Sequence, residues 1–249
     1  ASDVYKRQHI IPYCHEKGER LFAYEYNGYW KDVGTLGSYW QANMELIDII
    51  PEFNLYEEFW KIYTNSAILP PQYIAENAVI DRSIIGNGCE IYGEVHNCVI
   101  SAGVTIEEGA VVRDSIIMSD CTIGKGCVIG NSTELKNVIL FDNVQVPHYN
   151  YVGDSILGFK SHMGAGSITS NVKSDKTPVV IHNGDTTVET GLKKMGAMLG
   201  DCVEVGCNSV LNPGTVIGPD SNVYPTSCVR GVIPASHVYK DKDHIIAKK

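Results

Sequence analysis

Aliphatic residues recur at every sixth position over the C-terminal part of the chain. The clearest run consists of Leu199, Val205, Leu211, Ile217, Val223 and Val229. The fifth place of each six-residue unit mostly carries a small or polar residue: Val203, Ser209, Thr215, Ser221 and Ser227. A period of six fits neither the 3.6-residue repeat of an α-helix nor simple strand alternation. Such hexads predict a parallel β-helix, in which short strands turn corners and coils stack about 4.8 Å apart.

The same register begins earlier, with slips between runs. These runs are Ile85 and Ile91; Ile100, Ile106 and Val112; and Ile117, Ile123, Ile129 and Leu135. We therefore predict an all-β fold class with coils over residues 71–240, starting near Tyr73, and a tail over 241–249. The hexads stop over 170–198, which predicts an excursion from the coils. An Asn-Gly pair within His182–Val188 indicates a hairpin there.

The N-terminal part has a different pattern. Residues 9–70 are aromatic-rich, and Ser38–Ile50 is predicted to be a helix that Ser38 caps and that closes before Pro51. This α+β stretch is interpreted as a remnant of another domain. We expect loose packing that exposes large apolar residues, namely Phe22, Trp30 and Trp40.

The first residues suggest an origin outside the natural protein. Residues 3–8, "DVYKRQ", match what a common transposon sequencing adapter encodes in one reading frame. We therefore predict that residues 1–8 are an adapter artefact and that the natural protein starts upstream. An ordinary polar N-terminus is the alternative.

Charge and cysteine content exclude several classes of function. The net charge is −9 with scattered Lys and Arg, whereas nucleic acids and anionic membranes require concentrated positive charge. No apolar run approaches the length of a membrane span, and we expect a cytoplasmic location. The eight cysteines form no CxxC pair and no metal-ligand spacing, so we predict free thiols. Cys89, Cys121 and Cys127 are predicted to pack as small apolar side chains.

The sequence resembles two protein families, one after the other along the chain. "HIIPYCHEKGERLFAYEYNGYWKDVGTLGSYWQANMELI" (9–47) and the following "PPQYIAENAVIDRSIIGNGCEIYGEV" place residues 9–122 close to the C-terminal part of bacterial glucose-1-phosphate adenylyltransferase, also called ADP-glucose pyrophosphorylase. The resemblance implies that Asp32, in "YWKDVGT", is a ligand of the catalytic magnesium. The second carboxylate and the glycine-rich nucleotide loop should lie upstream and are missing. Asp32 is therefore an orphaned ligand, with a solvated or capping Asp as the alternative, and magnesium is expected only in an intact parent enzyme.

From about residue 129 to 240 the resemblance changes. "GNSTELKNVILFDNVQVPHYNYVGDSILGFKSHMGAGSITSN" (130–171) resembles the acetyltransferase domain of bifunctional N-acetylglucosamine-1-phosphate uridyltransferase/glucosamine-1-phosphate acetyltransferase. This resemblance implies a left-handed β-helix and a homotrimer with sites between subunits. The change of family near residues 122–131 is either a natural mosaic or an artefactual join at a hexapeptide that both families share. We favour the join.

The second resemblance also implies a site. His148 aligns with the general base that takes a proton from the amine, which suits an imidazole near neutral pH; Asp154 or a backbone carbonyl could orient its ring. The other implied residues are Glu134, Lys136 and Tyr151 for the sugar phosphate, Asn171 for the amine or acetyl group, and Ala165 and Cys207 beside the co-substrate acetyl-CoA. Each could instead be a solvated or packing residue. Met118 stands one 18-residue coil before Lys136, where that family has a phosphate-binding arginine.

Three functions follow as hypotheses. The leading one is acetyl-CoA-dependent N-acetylation of an amino-sugar 1-phosphate, within UDP-N-acetylglucosamine synthesis. The alternative is a non-catalytic assembly and regulatory module that binds a sugar-phosphate effector, as the β-helix of ADP-glucose pyrophosphorylase is thought to be. A third is that the parent gene encodes glucose-1-phosphate adenylyltransferase of glycogen synthesis. The expected partners are a small sugar phosphate and two further copies of the chain.

Overall fold

The computed structural model describes residues 6–55, 57–59, 61, 63 and 68–248. Most of the predicted adapter segment, residues 1–8, lies outside this range. The chain divides into two compact units at Lys31 and Asp32. The first unit contains a π-helical turn, Lys6–Ile10, followed by α1, Ile11–Glu16.

The second unit begins with one longer helix, α2, Leu36–Met44, which a 3₁₀ turn, Glu45–Ile47, continues. The prediction of a helix over Ser38–Ile50 was therefore wrong at both ends. Thr35 is the N-cap, because its hydroxyl accepts the Ser38 N–H at 3.1 Å while the Ser38 hydroxyl accepts the Thr35 N–H at 3.2 Å. No helix among the described residues has the length and apolarity that a membrane crossing requires.

Short parallel strands make up the rest of the second unit. The first half contains β1 (Tyr73–Ile74), β2 (Val79–Asp81), β3 (Ile84–Ile85), β4 (Glu90–Ile91), β5 (Glu94–His96), β6 (Val99–Ile100), β7 (Thr105–Ile106), β8 (Val111–Arg113), β9 (Ile116–Ile117), β10 (Thr122–Ile123), β11 (Val128–Asn131), β12 (Glu134–Leu140), β13 (Gln145–His148) and β14 (Tyr151–Leu157). The second half contains β15 (His162–Met163), β16 (Ile168–Thr169), β17 (Val180–Asn183), β18 (Thr186–Glu189), β19 (Ala197–Leu199), β20 (Glu204–Val205), β21 (Val210–Leu211), β22 (Thr215–Ile217), β23 (Asn222–Val223), β24 (Cys228–Val229), β25 (Val232–Ile233), β26 (His237–Asp241) and β27 (His244–Ala247).

The strand pairing defines three faces. Face A runs β1-β4-β7-β10-β12-β14-β19-β22-β25, face B runs β2-β5-β8-β11-β13-β15-β20-β23-β26, and face C runs β3-β6-β9-β12-β14-β16-β21-β24. The long strands β12 and β14 each turn a corner and so contribute to both C and A. All pairs within these three faces are parallel, and β27 extends face B by pairing with β26 in antiparallel fashion. The predicted left-handed parallel β-helix is therefore confirmed as the fold class.

The predicted hexad positions form the core. Leu211, Ile217 and Val229 are buried, as are the earlier Ile106 and Ile129. The fifth-place residues are buried too: Val203, Ser209, Thr215, Ser221 and Ser227. Small side chains are required at those positions because the coil bends there and the interior narrows.

Most corners contain a residue in the left-handed region. The corner that joins face B to face C, called the B–C corner below, has positive φ at Arg82, Asn97, Asp114, Ser132, Tyr149, Gly166, Asn208 and Thr226. Glycine, asparagine and aspartate tolerate this conformation best, which explains their frequency between the hexads. Tyr149, with φ of 53°, and Arg82, with φ of 41°, are the bulky residues at this corner.

The excursion leaves the coils after β16 and returns at β19. Within it β17 and β18 form the predicted antiparallel hairpin, which is confirmed. Asn183 pairs with Thr186, so the two turn residues are Gly184 and Asp185 rather than the Asn-Gly pair. Gly184, at φ of 58°, supplies the left-handed conformation that such a turn needs.

The cysteines are free thiols, as predicted. Cys89, Cys98, Cys121 and Cys127 lie in the core. Burial raises the pKa of Cys98 to about 12 and the pKa of Cys121 and Cys127 to about 11. These thiols therefore remain protonated at neutral pH and act as packing groups.

Close contact between coils leads to a first prediction. A Cβ at Gly130, in β11, would overlap the Pro147 carbonyl group of the next coil, and neither backbone can move without breaking the ladder. We expect Gly130→Ala to lower the free energy of unfolding by about 3 kcal/mol, at the upper end of typical overpacking. Gly109→Ala is the control: its Cβ meets no atom closer than 3.8 Å, so only the left-handed penalty of about 1 kcal/mol applies. Urea denaturation measures both, and equal losses would contradict the proposed overlap.

Candidate functional site

Helix α2 packs against the β-helix at the B–C corner. The Trp40 indole N–H donates to the Asp114 carbonyl at 2.8 Å, and the Tyr39 hydroxyl lies 3.6 Å from the Met118 sulfur. Trp40 is therefore partly buried, and the expectation that it is exposed was wrong. The corner supplies both an acceptor and an apolar surface for the indole. Phe22 and Trp30, in the first unit, are exposed as expected.

A pocket of about 540 Å³ lies between α2 and the B–C corner. It is lined by Tyr39, Trp40, Gln41, Ile116, Asn131, Ser132, Thr133, Glu134, Tyr149, Asn150 and Tyr151. Four of these side chains are aromatic, and Glu134 is the one charged residue of the lining. The pocket therefore combines ring surfaces, amides and a single carboxylate.

The ionisable groups in this pocket influence one another. Glu134 on β12 pairs in register with Tyr151 on β14. Burial raises the pKa of Glu134, an effect that the nearby Lys136 ammonium partly offsets. Burial and then the Glu134 carboxylate raise the pKa of Tyr151 and of Tyr39. A positively charged or hydrogen-bond-donating ligand would therefore be favoured beside these groups.

A second polar group lies where face C meets face A. The Asn171 amide donates to the Tyr151 hydroxyl at 3.2 Å and also to the Asp154 carboxylate. The Asn137 amide donates to the same carboxylate at 2.7 Å. Asp154 thus holds two amides and, among the described contacts, does not orient His148. The predicted residues Tyr151 and Asn171 are brought together.

His148 ends β13 and is exposed. Its N–H donates to the Asn150 side-chain oxygen at 3.0 Å and its carbonyl accepts the Gly166 N–H at 3.0 Å. No hydrogen bond of its imidazole ring is found within the described part of the chain. The ring is therefore open to solvent, beside the left-handed Tyr149.

The structure places His148, Ala165 and Cys207 in one column along the B–C corner. Backbone bonds connect this column from coil to coil. The Gly166 N–H donates to the His148 carbonyl at 3.0 Å, and the Asn208 N–H donates to the Ala165 carbonyl at 2.9 Å. The Thr226 N–H continues the ladder by donating to the Cys207 carbonyl at 2.8 Å. The excursion separates Ala165 from Cys207 in sequence but not along the corner. His148 and the two residues that the resemblance places beside acetyl-CoA therefore share one edge of the β-helix, whereas Asn171 lies where face C meets face A.

This column ends at a second cavity of about 460 Å³ near the C-terminal coil. Pro225 and Thr226 line it together with the charged residues Arg230, Lys240, Asp241 and Lys242. Three cations and one carboxylate suit an anionic group. Sequence reasoning missed this site, although the basic residues around position 240 were a visible signal.

Lys136 lies on β12 beyond Glu134. The Met118 N–H donates to the Leu135 carbonyl at 2.7 Å, which sets Met118 beside Lys136 one coil earlier. The position of the expected arginine is therefore occupied by a thioether that contacts Tyr39 of α2. Lys136 therefore has a thioether beside it one coil earlier, where the resemblance led us to expect a guanidinium.

Asp32 does not build a metal site. It lies in an exposed loop, where its carboxylate accepts the Gly34 N–H at 2.9 Å. Among the described residues no group of three or more His, Cys, Asp and Glu side chains is arranged to hold a metal ion. A local turn accounts for this carboxylate, and these residues do not fit magnesium binding.

The fold and these sites define a class: a hexapeptide-repeat β-helix that follows the end of a nucleotidyltransferase-like segment. Sequence profiles agree with it. Residues 67–153 match the GlmU-like, C-terminal hexapeptide family, residues 119–242 match the GMPPB C-terminal domain, and residues 2–49 match the nucleotidyl transferase family.

The particular relatives are glucose-1-phosphate adenylyltransferases. That of Lachnospira eligens is 70% identical over 101 residues, which are 41% of this chain and 24% of the relative. That of Acetivibrio thermocellus is 38% identical over 207 residues, 83% of this chain and 42% of the relative. That of Fervidobacterium nodosum is 37% identical over 227 residues, 87% and 47% respectively. The chain thus spans less than half the length of each of these relatives, and both resemblances seen in the sequence are confirmed.

The raised pKa of Glu134 leads to a second prediction. A carboxyl group with a folded-state pKa above its unfolded value stabilises the protein in acid and loses that contribution as pH rises through the folded pKa. We therefore expect Glu134→Gln to raise the melting temperature at about pH 7, with the gain vanishing near pH 3, below the ordinary pKa of glutamate. The matched control is Glu189→Gln, on the exposed hairpin strand β18, where no such pH-dependent gain should occur. A gain that persists unchanged in acid would refute this account of Glu134.

Proposed function

We propose that this chain is the non-catalytic β-helix module of a sugar-nucleotide-forming nucleotidyltransferase, related to glucose-1-phosphate adenylyltransferase, and that it serves in assembly and regulation. The observation that carries the proposal is that similarity to the Acetivibrio and Fervidobacterium enzymes extends over 83% and 87% of the chain. Asp32 supports it, because phosphoryl chemistry needs a metal site, and among the residues that the structure describes no cluster of His, Cys, Asp and Glu side chains provides one. A cytoplasmic location stays a prediction.

Face A offers a surface for assembly. Its outward positions form an apolar stripe in which Ile139 pairs with Ile156 and Ile156 with Met198. Ile139 is 46% exposed and Met198 is 38% exposed. The stripe continues through Val216 to Val232. A continuous apolar column on a sheet face is best covered by another copy of the chain, and we propose a homotrimer. The proposed ligand of the assembled module is a sugar phosphate, for which Lys136 supplies charge.

The assembly proposal gives a third prediction. Met198→Lys inserts a charge into the stripe and should shift the chain from trimer to monomer in sedimentation velocity, because burying an unpaired ammonium at an interface is costly. The matched control is Glu204→Lys, on exposed face B of the same coil, which should leave the mass unchanged. A monomeric parent chain would refute the trimer.

The same preparation tests the absence of catalysis. The chain mixed with ATP, glucose 1-phosphate and Mg²⁺ should release no pyrophosphate above the rate without protein. Pyrophosphate release that Asp32→Asn abolishes would overturn the non-catalytic role.

A second candidate function is N-acetylation of an amino-sugar 1-phosphate by acetyl-CoA. It is favoured by the column of His148, Ala165 and Cys207 that leads to the cationic cavity. In this proposal the amine attacks the thioester carbonyl and His148 accepts the amine proton. The C–S bond then breaks, and His148 returns that proton to the departing CoA sulfur, which leaves as the thiol. The pantetheine arm would follow Ala165 and Cys207. Lys136, Tyr151, Asn171 and Glu134 would contact the sugar.

The fourth prediction separates these functions. Glucosamine 1-phosphate and acetyl-CoA are incubated with the chain, and free thiol is followed with a chromogenic disulfide. If the second function holds, His148→Ala should lower the rate by about 100-fold or more, the usual contribution of a general base. The control is His162→Ala, which removes an imidazole on face B that pairs with Glu204 at 2.8 Å. This change should not lower the rate. No thiol release by the parent chain, or equal rates for parent and His148→Ala, would remove His148 from any acetyl transfer.

A further inference from the structure

The pocket under α2 has an unusual charge balance for a protein expected to bind sugar phosphates. Among the residues that the structure describes, the lining contains one carboxylate, that of Glu134, and no cationic side chain. Among the described contacts this carboxylate has neither a hydrogen bond nor an ion pair, although it is partly buried. The Lys136 ammonium is close enough to affect its pKa but lies outside the lining. A phosphate placed here would face a negative charge.

The aromatic residues surround this carboxylate on several sides. Tyr39 and Trp40 come from α2, and Tyr149 and Tyr151 come from the corner. Glu134 pairs in register with Tyr151, and both residues line the pocket together with Tyr39. The Glu134 carboxylate also raises the pKa of the Tyr39 and Tyr151 hydroxyls. Ring faces attract cations, and a carboxylate adds to the attraction.

Tyr149 provides independent support. It holds φ of 53° at a corner where five of the seven other left-handed residues are Asn, Asp, Ser or Gly, and its side chain is 66% exposed. This conformation costs about 1–2 kcal/mol for a residue with a bulky side chain. The ring gains no burial to offset that cost, so its position at the pocket rim points to a ligand contact.

We propose that the pocket between α2 and the B–C corner binds a small organic ammonium ion, with Glu134 as its counter-ion and the rings of Tyr39, Trp40, Tyr149 and Tyr151 as its walls. The site excludes Lys136 but shares Glu134 and Tyr151 with the sugar contacts of the second candidate function, so the two ligands would compete there. It does not depend on the trimer. The site requires both α2 and the β-helix, because α2 supplies two of the four rings and the B–C corner supplies the other two.

The test uses choline and 3,3-dimethyl-1-butanol, which share a shape but differ in charge. Trp40 fluorescence reports binding in a variant with Trp30→Phe and Trp60→Phe. We expect choline to bind about tenfold more tightly than the neutral alcohol, a difference within the range of cation–π and carboxylate attraction. Glu134→Gln should bring the two affinities together, and Glu134→Asp should keep part of the difference.

The controls separate binding from folding. Glu189→Gln should leave both affinities unchanged, and Tyr149→Asn should weaken choline several-fold while raising the melting temperature, because asparagine tolerates the left-handed conformation. Equal affinities for choline and the alcohol in the parent chain, or no fluorescence response at millimolar choline, would overturn the proposal. Neither result would bear on the assembly proposal, since that rests on face A.

Discussion

The register between successive coils is the constraint on which the rest of the structure depends. Backbone groups of one coil bond to those of the next, and a buried aliphatic residue sits at the same place in each coil, as Ile106, Ile123 and Leu140 do on face A. Each such side chain contributes about 1.5–3 kcal/mol by leaving water. A shift by one residue would expose the whole aliphatic set, so the register is fixed. Residues far apart in sequence then align in columns at the corners.

The columns explain how the sites form, and α2 explains why one of them is enclosed. On the β-helix alone, Glu134 and Tyr151 would lie on an open face. Helix α2 covers them through the Trp40 contact with Asp114, which produces a pocket with ring walls. The open column of His148 and the enclosed pocket of Glu134 are neighbours, yet they have different electrostatics. The former leads to cations near Arg230, whereas the latter has one carboxylate.

Much of the fold could be predicted, because a six-residue period directly encodes which side chains point inward. The start of α2 could not be fixed from the pattern, since Thr35 and Ser38 are both good caps and only their reciprocal bonding distinguishes them. The His148 column came from resemblance, and the excursion hid the alignment of Ala165 with Cys207 from any fixed period. The pocket was missed because it depends on a contact between residues 74 positions apart, for which no local pattern exists. Asp154 was one candidate for orienting the His148 ring, but its carboxylate instead accepts hydrogen bonds from the amides of Asn137 and Asn171.

The excursion shows what the corners permit. Ile156, on face A of the coil before the excursion, pairs in register with Met198, on face A of the coil after it, although the hairpin intervenes. Extra chain can therefore be added at a corner, or whole coils exchanged there, while the interior stays unchanged. In the evolution of such proteins, ligand-binding corners from different ancestors can be combined without any change in the aliphatic core. Similarity to two families in one uninterrupted stack of coils is an outcome that this geometry tolerates.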